Sequence, residues 1–173
     1  METIVISDTN IFIDLINVDL LEQFFHLPWK IVTTEPILLE LKYEGQHDTV
    51  KAYSDLGSLQ VATFSGIEVT EILHLKRKHE SHSNLSLQDC SVWYCARKYG
   101  GKILSGDGQL RKYARLDGLE VRGIIYVIDC MVEVGLLEQP EAAERLKQLR
   151  ASNPRLPMEE IDKRIERWGK EQP

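Results

Sequence analysis

The chain has 173 residues, of which 43% are hydrophobic, so it has the size of one domain that can bury roughly two-thirds of its unfolded surface. It carries 21 basic and 27 acidic residues, and the net charge of −6 argues against a protein that coats nucleic acid through its overall field. Its three cysteines have no C-x-x-C spacing, which indicates neither a disulfide framework nor a zinc knuckle and favours a reducing cytosol.

The chain begins with a β-branched run that stops at a carboxylate. Ile4, Val5 and Ile6 in succession leave no polar face, as is typical of a central strand in a parallel sheet covered on both sides. Asp8 follows, at the carboxyl end of this strand, where open α/β sheets bind ligands. Asp8 and Asp14 interrupt the apolar stretch, and no basic n-region precedes it. The first apolar stretch is therefore predicted to be neither a signal peptide nor a membrane span, and we expect a cytoplasmic protein.

Helices and strands alternate along the rest of the chain. In order, the patterns predict a helix over residues 9–17 that continues over 18–27, a strand over 30–33, a helix capped by Thr34, a helix near 49–56, a strand near 59–63, a helix over 67–78, a polar loop over 79–84, a helix from Ser86 to Gly100, a strand over 102–105, a helix after Asp107, an edge strand over 119–122 and a helix over 124–137. This alternation predicts a three-layer α/β/α sandwich around a central, four- to five-stranded parallel sheet.

The composition changes at Pro140. Residues 140–173 predict two amphipathic helices, separated by the sequence Asn-Pro-Arg-Leu-Pro at 153–157. We therefore divide the chain into an α/β domain over residues 1–139 and a C-terminal helical appendage over residues 140–173. The appendage is expected to pack on the domain or on a partner.

Each of four acidic residues has an ordinary structural explanation. Asp8 and Asp107 each follow a strand and precede a helix, so either one could cap its helix and stabilise it by about 1 kcal/mol. Asp89 lies three residues after Ser86, where it could complete a capping box. Glu40 could be a solvated charge on a helix surface.

Taken together, the same acids predict a shared site. Asp8 and Asp107 follow the two most apolar strands, so they meet at one sheet edge if those strands are neighbours. Asp89 shares a helix face with Val92, which points it toward the core, and Glu40 follows the natural neighbour of the first strand. Two carboxylates about 5 Å apart repel by roughly 3 kcal/mol at an effective dielectric of 20, and a hard cation such as Mg²⁺ or Mn²⁺ removes that cost. Such a site binds phosphate oxygens and activates water for attack on a phosphodiester.

Four segments resemble, in order and spacing, the acidic signatures of PIN-domain nucleases. They are Asp8-Thr9-Asn10 after a hydrophobic strand, Glu40 in Leu38-Leu39-Glu40-Leu41, Leu85-Ser86-Leu87-Gln88-Asp89 at the start of a helix, and Ile103-Leu104-Ser105-Gly106-Asp107. The resemblance covers about residues 3–137. It implies a metal-dependent endoribonuclease that hydrolyses RNA phosphodiester bonds, often the toxin of a bacterial toxin–antitoxin pair of the VapC kind. An antitoxin protein and a second copy of the chain are the partners that it suggests besides RNA.

The resemblance also implies roles for particular residues. The catalytic and metal-ligating set, for one or two Mg²⁺ or Mn²⁺ ions, is Asp8, Glu40, Asp89 and Asp107. One of these would orient the attacking water. The hydrogen-bonding groups that support the ligands or the phosphate are Asn10 and Ser105.

Gln109 departs from the family pattern, because many relatives carry another acid two residues after the fourth signature residue. The missing acid would be a ligand of a second metal ion, so the departure concerns a second metal site and not the first. Arg111 and Lys112 follow in the same helix, where they could contact RNA phosphates or form a solvent-facing turn. Gln109 and the acidic net charge also leave open a second hypothesis, a catalytically inactive PIN-like module that binds RNA or protein. In that case the acids are caps and the C-terminal appendage is the interface.

Overall fold

The structure is a computed structural model that describes residues 3–43 and 45–169. Within these residues, five strands form one sheet in the order β3-β2-β1-β4-β5, and every neighbouring pair is parallel. The strands are β1 (Thr3–Ser7), β2 (Trp29–Thr34), β3 (Gln60–Ala62), β4 (Lys102–Leu104) and β5 (Val121–Arg122). Helices flank the sheet, and the predicted α/β/α sandwich with C-terminal helices is confirmed.

The helices occupy the connections that were predicted to be helical, with shifted ends in several cases. They are α1 (Thr9–Asn17), α2 (Leu21–Phe25), α3 (Glu35–Glu40), α4 (Gln46–Asp55), α5 (Gly66–His79), α6 (Leu87–Tyr99), α7 (Gly108–Leu116), α8 (Ile124–Glu133), α9 (Gln139–Ser152) and α10 (Met158–Trp168).

The first strand is central because its side chains are apolar on both faces. Val5 and Ile6 are fully buried, and β1 lies between β2 and β4, with Ile6 paired to Val32 on one side and to Ile103 on the other. The ladder continues one residue past the strand, where the Asp8 N–H donates to the Leu104 carbonyl at 3.0 Å. The ends of β1 and β4 therefore lie side by side at the same edge of the sheet.

Local capping signals set several helix ends as the sequence predicts. The Thr34 side chain accepts the Ile37 N–H at the start of α3, and Ser86 caps α6. Helix α6 ends at Gly100 in the left-handed conformation, with φ of 66°. A Cβ at the next residue, Gly101, would lie 3.1 Å from Ile4, so the close approach of this turn to β1 favours glycine.

Two predicted helices are shorter in the structure. The helical pattern over residues 18–27 is interrupted at Asp19, whose φ of 54° is left-handed, and α2 begins only at Leu21. The helix predicted over 124–137 ends at Glu133, and Gly135, with φ of 75°, turns the chain. The apolar residues beyond each break still enter the core, which explains why hydrophobic spacing overestimated the helices.

The C-terminal helices pack on the α/β part, with α9 contacting α1 and α8. The inward face of α9 is buried and apolar, and it includes Leu146 and Leu149. Polar contacts reinforce the packing. The Asn153 amide donates to the buried Asp14 carboxylate of α1, at 3.0 Å to Oδ1, and Arg164 of α10 pairs with Asp129 of α8 at 2.6 Å. The domain boundary between residues 139 and 140 remains a prediction.

No helix in residues 3–43 and 45–169 combines the length and the apolar character needed to cross a bilayer.

The contact between Asn153 and Asp14 predicts a pH-dependent loss of stability in Asn153→Ala. Burial raises the pKa of Asp14, and the Asn153 amide opposes that rise by favouring the charged carboxylate. Removal of the amide leaves a buried charge with one donor fewer, so we expect the free energy of unfolding to fall by about 1–3 kcal/mol. The fall should be larger at about pH 8 than at about pH 4. Urea unfolding measures it, with the exposed α9 substitution Gln148→Ala as control. An equal loss at both pH values would contradict the prediction.

Candidate active site

Asp8 occupies the first position after β1 and has 4% of its surface exposed. It caps α1, because its Oδ1 accepts the Thr9 N–H at 2.8 Å. Its Oδ2 accepts two further hydrogen bonds, from Asn10 Nδ2 at 2.7 Å and from Ser105 Oγ at 2.6 Å. One carboxylate thus joins the ends of β1 and β4.

Ser105 and Asn10 connect this carboxylate to the loop that follows β4. Ser105 is fully buried, and its Oγ accepts the Asp107 N–H at 3.0 Å while it donates to Asp8. Asn10 donates to Asp8 with its amide nitrogen and accepts the Gly106 N–H at 2.8 Å with its oxygen. The two residues that the sequence analysis proposed as supporting groups therefore hold Asp8 and residues 105–107 in a fixed relation.

Asp107 and Asp89 serve as helix caps, as their structural explanations predicted. Asp107 Oδ1 accepts the Leu110 N–H at 2.8 Å at the start of α7. Asp89 is the third residue of α6 and completes a capping box, in which its Oδ2 accepts both the N–H and the hydroxyl of Ser86 at 2.7 Å. Asp89 is half-buried, and its side chain turns back to contact Ser86.

Glu40 reaches the site from the last position of α3. It is exposed, and its Oε2 accepts the Thr9 hydroxyl at 2.5 Å. Thr9 is a residue to which the sequence analysis gave no role, although it stands inside the first signature, between Asp8 and Asn10. Its contact with Glu40 spans 31 residues of sequence and depends on the pairing of β1 with β2.

The four acids are electrostatically coupled. The pKa of Asp8 is raised from 3.8 to about 7, mainly by burial and also by the charges of Asp89 and Glu40, while the hydrogen bond from Ser105 opposes the rise. Burial likewise raises the pKa of Asp89, with added repulsion from Asp107 and Glu40. The structure therefore brings together all four acids that the sequence analysis proposed, at a sheet edge with an excess of negative charge.

The donor types at this edge fit a hard divalent cation, whereas the side-chain positions do not yet form a coordination shell. In each of Glu40, Asp89 and Asp107, the hydrogen bonds fall on one carboxylate oxygen, and the other oxygen accepts none from the described residues. Across 3–43 and 45–169, no three or more His, Cys, Asp or Glu side chains are grouped so that they could hold a metal ion. Binding would require these carboxylates to turn toward one another, which their free oxygens permit.

The two basic residues proposed as nucleic-acid contacts differ in position. Arg111 is half-buried, and its Nη2 donates to the Ser105 carbonyl at 3.1 Å, beside the acids. Lys112 is exposed, and its Nζ lies 5.2 Å from the centre of the Tyr113 ring. Gln109 is exposed in the first turn of α7. Arg111 is therefore the basic side chain of this pair that contacts the loop carrying Asp107.

Comparison with known proteins gives a family and two solved structures. The family described as a PIN domain matches residues 4–170. One similar solved structure is that of VapBC2 from Rickettsia felis, bound to a DNA fragment from the VapBC2 promoter. The matched chain is 19% identical in sequence, the TM-score is 0.50, and the match covers 70% of this chain and 98% of that one. PAE2754 from Pyrobaculum aerophilum is 14% identical, with a TM-score of 0.53 over 75% and 98%. These two similarities concern the fold. No curated protein matches the sequence.

The pKa of Asp8 predicts a loss of wild-type stability as pH rises. A carboxyl group whose folded-state pKa lies above its ordinary value favours the folded state when protonated. Its ionisation therefore lowers the free energy of unfolding between about pH 4 and about pH 7, by up to about 4 kcal/mol. Asp8→Asn should remove this contribution, so the variant should gain stability relative to wild type as pH rises.

Urea unfolding at about pH 5 and about pH 8, without added metal, tests this prediction. Asp55→Asn, which removes an exposed carboxylate from α4, is the control for the loss of one charge. If wild type and Asp8→Asn show the same pH dependence, the buried carboxylate is not the source of the effect.

Proposed function

The chain belongs to the PIN-domain family, and we propose that it is a metal-dependent endoribonuclease that hydrolyses RNA phosphodiester bonds. The observation that carries the proposal is the convergence of four carboxylates at one sheet edge, with the pKa of Asp8 raised to about 7 by burial and by its neighbours. Such a cluster is destabilising without a counter-ion. A cation is the group that would make this arrangement favourable.

We assign the metal to the oxygens of Asp8, Glu40, Asp89 and Asp107, for one or two Mg²⁺ or Mn²⁺ ions. When bound, the cation would polarise the phosphodiester and supply an activated water for hydrolysis. One of the four carboxylates would orient that water. The hydrogen bonds from Asn10 and Ser105 support this assignment, since they fix the position of the Asp8 carboxylate and favour its ionised form.

Arg111 is proposed to meet the substrate phosphate beside these acids, and Lys112 to contact the strand farther along. The contact of Arg111 with the Ser105 carbonyl supports its role, because it holds the guanidinium next to the loop that ends in Asp107. A guanidinium presents paired N–H donors to a phosphate, and so it orients the substrate as well as attracting it. Lys112 is exposed and would act as a point charge.

We further propose, on the resemblance to the VapC kind, that this nuclease is the toxin of a toxin–antitoxin pair. Its partners would then be RNA, an antitoxin protein and a second copy of the chain, in the cytoplasm.

The second candidate function is a PIN-like module that binds RNA or protein without cutting it. Two observations favour it. Asp8, Asp89 and Asp107 all serve as caps, and the described residues contain no cluster already arranged to hold a metal ion. In this case the acids would be structural, and the C-terminal helices would form the interface.

The nuclease proposal predicts metal-dependent cleavage that Asp8→Asn and Asp107→Asn abolish. A mixed RNA pool that includes tRNA is incubated with purified protein in Mn²⁺, in Mg²⁺ and in chelator. Each variant should lose at least about 100-fold in rate, because one ligand and one negative charge disappear from the site. Asp55→Asn, which removes an exposed carboxylate far from the cluster in sequence, should cleave like wild type.

Thermal unfolding in the same buffers separates the two candidate functions. Mn²⁺ should raise the melting temperature of wild type and not of Asp8→Asn. If neither protein cleaves RNA and both have the same melting temperature with and without Mn²⁺, the nuclease proposal is rejected in favour of the binding module.

Ser105→Ala should impair the same site without removing a ligand. Loss of the 2.6 Å hydrogen bond to Asp8 destabilises its charged form, so we expect 10- to 100-fold weaker Mn²⁺ affinity or cleavage. The acidic limb of the pH–rate profile should also move to higher pH. Ser91→Ala is a matched control, since Ser91 is also fully buried but bonds to Thr34. A profile that moves equally in both variants would indicate a general structural effect.

A further inference from the structure

A cleft of about 550 Å³ opens beside the acidic cluster, and its walls are rich in arginine. Residues of α1, α7, β5, α8 and the segment from 155 to 164 line it. We call it the arginine cleft, after Arg111, Arg115, Arg122, Arg155 and Arg164. The first three come from the α/β part of the chain, and the last two come from the C-terminal helices and the loop between them.

The acids in the walls of the cleft do not neutralise these arginines as a group. Asp14 is bound by the Asn153 amide, and Arg164 alone takes up the other two acids, with 2.6 Å to Asp129 and 3.1 Å to Glu160. One arginine thus accounts for two carboxylates. The other arginines that line the cleft form no ion pair with Asp14, Asp129 or Glu160 in the part of the chain that the structure describes.

Three of the remaining arginines have no carboxylate partner among the residues that the structure describes. Arg111 and Arg115 donate to backbone carbonyls, those of Ser105 and Val121, and the exposed Arg155 forms no ion pair. Arg122 pairs with Glu120 at the rim. Burial lowers the pKa of Arg111, and the positive charges of Arg115 and Arg122 lower it as well.

The cleft lies next to the loop that leads to Asp107, although none of the four acids lines it. Gly106 lines the cleft and donates its N–H to Asn10, which in turn donates to Asp8. Arg111 reaches the same loop through the carbonyl of Ser105. A polyanion with one reacting phosphodiester over the acids would therefore place its next phosphates along the arginines.

We propose that the arginine cleft binds the backbone of single-stranded RNA on one side of the scissile bond, and that the loop between α9 and α10 supplies Arg155 as its outer wall. The position of the scissile bond rests on the proposed nuclease function. An acidic peptide would match the arginines equally in charge. However, the position of the cleft next to the proposed cleavage site favours a strand that contacts both, and guanidinium groups pair well with phosphate oxygens. The C-terminal helices thereby gain a role in substrate binding.

Fluorescence anisotropy tests the proposal by measuring the affinity of the full chain for a fluorescein-labelled, single-stranded RNA. Chelator is present so that no cleavage occurs. Each lost phosphate contact on a single strand lowers the slope of log K against log salt by about 0.7, so Arg155→Gln should weaken binding roughly 8-fold at about 50 mM salt and roughly 3-fold at about 200 mM. Arg115→Gln is a second variant with the same expectation. Arg77→Gln, which replaces an exposed arginine of α5 outside the cleft, should bind like wild type.

Several results would overturn the inference. They are no RNA binding by wild type, unchanged affinity and salt slope in both cleft variants, or an equal loss in Arg77→Gln. Equal affinity for a polyglutamate peptide of the same charge, lost in the same variants, would make the cleft a protein-binding site. Cleavage is scored separately. A chain that neither cleaves RNA nor gains stability from Mn²⁺, but loses RNA binding in Arg155→Gln, supports the cleft and rejects the nuclease. Cleavage with unchanged binding in both cleft variants rejects the cleft alone.

Discussion

The parallel pairing of β1 with β4 is the constraint on which the candidate site depends. It sets the two strand ends side by side, continues through the Asp8 N–H to the Leu104 carbonyl, and brings the Ser105 hydroxyl within 2.6 Å of the Asp8 carboxylate. These groups are almost 100 residues apart in sequence and both are buried. The register of the central sheet therefore also sets the position of the carboxylate, because a shift by one residue would separate the Asp8 carboxylate from the Ser105 hydroxyl.

Three of the acids at this edge are also helix caps. Asp8, Asp89 and Asp107 each stabilise the start of a helix, and each capping interaction fixes the direction from which the carboxylate approaches the edge. Burial raises the pKa of Asp8, and repulsion from the charges of Asp89 and Glu40 adds a smaller rise. The caps bring the acids to the same edge, and a bound cation would relieve the negative potential that remains there.

The C-terminal helices connect the stability of the fold with its surface chemistry. Their apolar face adds Leu146 and Leu149 to the core, and Asn153 satisfies a buried carboxylate on the helix that Asp8 caps. The loop that begins at Asn153 then carries Arg155 to the cleft beside the acids. The same short segment thus stabilises α1 through Asn153 and contributes Arg155 to the cleft.

Features with a local physical cause were determined by the sequence itself. The apolar run of β1 implied a buried parallel strand, and the caps at Thr34 and Ser86 formed as predicted, since each depends on contacts within one helical turn. What the sequence could not decide depends on long-range packing. Thr9 holds Glu40 across 31 residues, and the arginine cleft assembles from both ends of the chain. Periodicity reports which face of an element is apolar, whereas the direction of a polar side chain is set by the donors that neighbouring elements bring to it, and those are fixed only when the tertiary structure forms.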